Sequence, residues 1–195
     1  MDLGQAWRWS GVAAVAVLWT TIPLGMLRAG LGVGDDRPIS YLGTDPQGVV
    51  PFRVGLIVAA LGFSIFAVAV GRRLVRPASF LVVFLAGQAC QAVVAVVSLD
   101  GPDRRIHTAA GIALGLSLPL LLWRYAAAQP PGRWRRQSYA LLGLEVASCV
   151  VGVTLSALGL AVVAEVVPAV SFHLWVIVVA LRWPAWAGSV VEAPS

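Results

Sequence analysis

The sequence predicts an all-α, polytopic integral membrane protein: a bundle of six transmembrane helices with both termini in the cytoplasm. Three observations carry this reading. Of the 195 residues, 59% are hydrophobic and only 12% charged, with a mean hydropathy of +0.86, far from the balance of a soluble domain. Apolar runs such as 54–70 and 80–97 are bounded by arginine or aspartate and approach the roughly 20 residues needed to cross hydrocarbon. The arginines, finally, collect in alternate connections, the pattern that orients a chain in a bilayer.

The first span, 9–27, runs on through Trp19 with no A-x-A-like site at which a signal peptide would be cleaved. The connection 29–53 is the only long one. Its GVGDD, GTDP and Pro51 elements are turn chemistry that would not sit in lipid, so an ordered external cap is expected. The second and third spans, 54–71 and 77–98, flank Arg72, Arg73 and Arg76. The fourth, 106–125, leads into Arg133, Arg135 and Arg136, and the fifth and sixth cover 139–164 and 166–181. Short connections make consecutive helices antiparallel neighbours.

Orientation follows from charge. Arg8, Arg72, Arg73, Arg76, Arg124, Arg133, Arg135, Arg136 and Arg182 fall on one side, nine against five on the other (Arg28, Arg37, Arg53, Arg104 and Arg105). The second side collects Asp35, Asp36, Asp45, Asp100, Asp103 and Glu165. Basic connections stay inside, which places both ends in the cytoplasm. Trp9, Trp123, Trp134, Trp183 and Trp186 fall near the proposed cytoplasmic boundaries, where an indole can sit at headgroup level. Every basic residue is arginine, as a GC-rich bacterial coding bias would give, and a bacterial inner membrane is the expected location. The net charge of +5 does not indicate nucleic acid, because no basic stripe with interleaved aromatics exists.

Within the spans, small and polar residues mark the expected interfaces, since helices in lipid associate by close approach and buried hydrogen bonds. Gly111 and Gly115 on the fourth span have GxxxG spacing, with His107 one turn earlier on the same face, and that face is expected to be a packed one. Glu145, Ser148, Cys149, Gly152 and Ser156 form a stripe on the fifth, and Gln88, Gln91, Ala92, Ala95 and Ser98 one on the third; the two stripes are expected to meet. Pro23 and Pro119 interrupt spans that neighbours must support. Cys90 and Cys149 lie in apolar runs and behave as small hydrophobes.

Two constellations bear chemistry. Glu145 lies nine positions from Arg136, and His173 nine before Arg182, so antiparallel fifth and sixth helices would bring them to matching depth, roughly 13 Å in. The pair reads either as a proton relay or polar-substrate contact, or as a structural hydrogen bond. On the external side Asp100, Asp103 and His107 have D-x2-D-x3-H spacing, with Glu165 and Asp45 on other external segments. Carboxylates with an imidazole can hold a divalent metal or activate water; the plainer reading is that Asp103 caps the fourth helix. A haem would need two histidines at one depth, which His107 and His173 are not, so no cofactor is expected. No P-loop, GxGxxG, GxSxG or HExxH occurs.

The segments SYLGTDPQ before FRVGLIVAALG, LDGPDRRIHTAAG at the start of the fourth span, and AEVVPAVSFHLWVIVVALR at the close together resemble the six-span prokaryotic membrane family catalogued as domain of unknown function 998. The resemblance implies six helices and places Asp103, His107 and Glu165 at the family's polar external positions. This chain has the single His107 where many relatives carry a more histidine-rich stretch. The family implies no reaction. Three functions are therefore expected to compete. One is a non-enzymatic bundle that binds membrane lipid or a membrane-protein partner. The second is an external-face enzyme acting on a lipid or envelope intermediate through Asp103, His107 and Glu165. The third is a small proton-coupled transporter using Glu145 and His173.

Overall fold

The computed structural model describes residues 3–187, with side chains over 6–182. It is all-helical: α1 (Leu3–Ala29), α2 (Val49–Gly71), α3 (Ala78–Val96), α4 (Arg104–Ala127), α5 (Arg133–Ala157) and α6 (Ala161–Ala187), with a short 3-10 turn, Ile39–Gly43, between α1 and α2. All six long helices are long and apolar enough to cross a membrane. The side chains of Trp183 and Trp186 lie outside the described residues.

Several boundaries differ from expectation, and those that bear on the site lie on the second, fifth and sixth helices. The second helix starts at Val49, because the Asp45 carboxylate accepts from the backbone N–H groups of Gln47 (2.8 Å) and Gly48 (2.9 Å) and turns the chain into it. Pro51 thus sits in the first helical turn, where a missing N–H costs nothing. The fifth helix starts earlier, at Arg133, and ends at Ala157. The chain reverses through Leu158–Leu160 with Gly159 at φ +79°, a conformation that glycine adopts without strain. Residues 161–164 therefore belong to α6, and Glu165 lies inside that helix instead of on a turn.

Consecutive helices pack side by side and α6 returns to α1, so the six form a ring. Glycines set the closest seams. A Cβ on Gly62 of α2 would lie 3.0 Å from the Ser10 carbonyl and from Ala14 of α1, and one on Gly152 of α5 would lie 2.7 Å from the Ala164 carbonyl of α6. The second case has a local cause: Pro168 lacks the N–H that would bond Ala164, and Gly152, having no side chain, leaves room for that freed oxygen against α5. Gly87 of α3 makes a similar approach to Ser117 of α4.

The ring's two halves are filled differently. Toward the end where α2 meets α3 and α4 meets α5, a column of aromatics occupies the axis: Phe63 and Phe66 from α2, Phe80 and Phe84 from α3, Tyr125 from α4, Phe172 and Trp175 from α6. Most of their rings meet edge-on or tilted, for instance Tyr125 on Trp175 at 5.2 Å and 85°, while Phe172 stacks on Trp175 at 5.8 Å and 21°, both geometries that aromatic quadrupoles allow. Arginines stack on aromatics at the rim of this same end: Arg8 on Trp9, Arg72 on Trp7, Arg124 on Trp123, Arg182 on Trp134. The opposite end is covered by the α1–α2 connection. There Leu42 is fully buried against Phe52, and Arg37 pairs with Asp35 and lies over Tyr41. That guanidinium holds the Asp35 carboxyl well below the usual range.

Candidate functional site

Between this cap and the aromatic column lies a cavity of about 700 Å³, within the range that accommodates a small organic ligand. Its walls come from every helix. Trp19, Pro23 and Met26 of α1 face Gln88 and Gln91 of α3, the α4 face carrying His107, Gly111 and Gly115, and Glu165 and His173 of α6. Ile39 and Ser40 of the cap form the roof, and Phe63 and Phe172 of the aromatic column, with Leu118 beside them, form the floor.

The glycine face of α4 is this cavity's wall and not a helix crossing. A Cβ on Gly111 or on Gly115 would meet nothing within 4 Å, which corrects the expectation of a packed GxxxG seam. Small side chains leave room, and here the room stays open. Gly152, by contrast, packs as expected.

Nor do the two polar stripes meet. The α5 stripe closes on α6: Ser148 Oγ lies 2.9 Å from Ser171 Oγ, and Ser171 Oγ donates to the Glu145 carboxylate, which Cys149 also approaches. On α3, Gln91 Nε2 donates to the Leu56 carbonyl of α2 (2.9 Å). Gln88 is only 4% exposed, and its Oε1 is buried with no hydrogen-bond partner among the described residues.

Glu145 and His173 are not bonded to each other. Their depths match, but Ser171 and His173 are two positions apart, so they leave α6 in different directions. Ser171 turns to α5 and receives Glu145; His173 turns to α1 and α2, where its Nδ1 accepts from the Trp19 indole N–H (3.1 Å) and its ring stacks on Phe63. Trp19 was missed by the sequence reading, although an indole N–H in mid-span must find an acceptor.

Hydrogen bonding assigns opposite tautomers to the two histidines. Trp Nε1–H is only a donor, so His173 Nδ1 carries the lone pair and the neutral ring holds its proton on Nε2. His107 Nδ1 lies 2.7 Å from the Val97 carbonyl, which only accepts, so there the proton sits on Nδ1.

The external constellation does not assemble. Asp103 occupies the N-cap position of α4 without a side-chain capping bond, contrary to the expected cap; its carbonyl accepts from Ile106 and His107 instead. Glu165 accepts from the Ile39 N–H (2.8 Å) and so ties the cap to α6. His107 and Glu165 share the cavity lining, which Asp100 and Asp103 do not join. Among the described residues no three His, Cys, Asp or Glu side chains come close enough to hold a metal ion, which removes the proposed metal set Asp100, Asp103, His107 and Glu165. Asp45 is used in the α2 turn.

No family model, curated protein or solved structure matches this chain. The functional reading therefore stands on the cavity's own chemistry.

Proposed function

We propose that this is a non-enzymatic, multi-pass membrane protein, with both termini cytoplasmic, that binds a lipid-like molecule inside its helical ring. The observation that carries the reading is the cavity itself, closed by an aromatic floor, roofed by the cap, and kept open by Gly111 and Gly115 where larger residues would have filled it. Its lining is mostly apolar with a few polar groups, the composition of a site for an apolar or amphipathic ligand. His107 and Glu165, the residues an enzyme reading would use, are each engaged by backbone groups that hold α4 and the cap in place. Glu145 and His173, which a proton-coupled transporter would pair, point into separate networks.

The test is lipid retention. Full-length protein extracted in mild detergent is expected to carry a lipid through purification, seen by native mass spectrometry and released by organic solvent. Gly115→Leu, which projects into open space, should fold with an unchanged melting temperature and carry none. A wild-type protein free of lipid, or equal retention by the variant, would overturn the proposal.

A further inference from the structure

The cavity's polar groups are not spread evenly over its wall. Gln88 is the eleventh residue of the nineteen in α3, and at 1.5 Å per residue it sits roughly 15 Å from that helix's start, near mid-depth. Two features set it apart. The residue is 4% exposed, yet its carboxamide Oε1 is buried with no hydrogen-bond partner among the described residues. An amide left unsatisfied in hydrocarbon is costly, and Gln91, one turn away, shows that this helix can satisfy one through a neighbouring backbone.

His173, at a comparable level of α6, supplies the complementary group. With Nδ1 receiving the Trp19 proton, Nε2–H is a donor that no described residue accepts. Protonating the ring would place a second proton on Nδ1, facing the indole N–H, so Trp19 also holds the imidazole neutral. No arginine lines the cavity, and its one carboxylate, Glu165, is held at the cap by Ile39. Beside Gln91, whose Nε2 is committed to Leu56, the cavity below the cap thus offers one neutral imidazole donor and one unpartnered amide oxygen, above a floor that includes Phe63 and Phe172.

Resting on the lipid-binding reading above, we infer that Gln88 and His173 form a recognition site for a neutral hydroxyl group carried on an apolar chain. A hydroxyl oxygen accepts from His173 Nε2–H while its own proton goes to Gln88 Oε1, and a half-turn about the terminal amide torsion presents that oxygen to the cavity. One hydroxyl satisfies both groups. A hydrocarbon satisfies neither, an ether oxygen serves only the histidine, and a phosphate or carboxylate finds no counter-charge at this depth. Trp19 is a positioning residue: although it lines the cavity, its indole N–H is given to His173 and not to the hydroxyl, and it fixes which imidazole nitrogen carries the proton.

The test uses delipidated full-length protein in detergent micelles, with oleyl alcohol, its methyl ether and the corresponding alkene as probes in equilibrium binding. The alcohol should bind about tenfold tighter than the ether and tighter still than the alkene, since a single hydrogen bond corresponds to a few-fold to tenfold in affinity. Gln88→Leu should remove the preference for alcohol over ether while leaving alkene binding intact. Trp19→Phe should weaken the alcohol more than the alkene, an effect that lost packing alone would not produce. If Gln88→Leu fails to fold, Gln88→Met gives the same comparison. Equal binding of the three probes, all blocked by Gly115→Leu, would overturn the hydroxyl site while the cavity reading stands. Probe binding that Gly115→Leu does not touch would overturn both.

Discussion

At the scale of single residues, the polar groups buried among the helices are placed by direction as much as by depth. Glu145 is fully buried and finds Ser171 on α6, although equal offsets from flanking arginines pointed to His173. The offsets were a sound guide to depth because α5 and α6 are antiparallel, but azimuth turns by about 100° per residue, and an error of two positions changes the neighbour altogether. The sequence could not settle which of Ser171 and His173 faces α5, since both lie in one apolar run. A double-mutant cycle separates them. Glu145→Gln with Ser171→Ala should show an interaction of about 0.5–3 kcal/mol, measured by unfolding in detergent, whereas Glu145→Gln with His173→Ala should be additive within about 0.5 kcal/mol. The reverse outcome would mean that α6 is rotated from the orientation described.

At the scale of elements, the existence of all six helices was legible, because long apolar runs ended by charge leave little choice of structure. Less legible was what each helix face does. Two faces carry glycine for opposite reasons: Gly152 lets α5 touch a carbonyl of α6, while Gly111 and Gly115 hold space open on α4. A sequence shows the same small residue in both cases, so GxxxG spacing alone could not distinguish a seam from a cavity wall. The α5–α6 turn was equally hidden, since Leu158–Leu160 is apolar and only Gly159 marks it. The difference between the two faces is measurable. Gly152→Leu should lower stability by about 1–3 kcal/mol or more through overpacking at the helix seam, and Gly111→Leu should leave it nearly unchanged; equal loss in the two variants would make the α4 face a packed one after all.

At the scale of the whole molecule, the ring is divided into a solid half and a hollow half, and the division follows the distribution of charge and aromatics. The aromatic column and the stacked arginines share one end; the cap, the acidic residues and the cavity share the other. The column itself was invisible in the sequence, because phenylalanines within apolar spans carry no sign of which face they occupy, whereas the charge asymmetry was visible from the start. That asymmetry also carries the proposed orientation of the hollow half. With nine arginines on the solid end and six acidic residues on the capped end, the orientation proposed above, in which short basic connections remain inside, would put the cavity in the outer half of the bilayer and admit its ligand from the outer leaflet. Reporter fusions decide this directly. Fusions after Arg73 and Arg133 should read cytoplasmic, and fusions after Asp45 and Asp103 external. Replacing Arg72, Arg73 and Arg76 by glutamine while adding arginines to the cap should weaken that preference, because the bias depends on arginine and lysine near the span ends and not on net charge. External readings after Arg73 and Arg133 would invert the molecule, turn the cavity toward the inner leaflet, and leave the ring, its aromatic floor and its hydroxyl site otherwise as described.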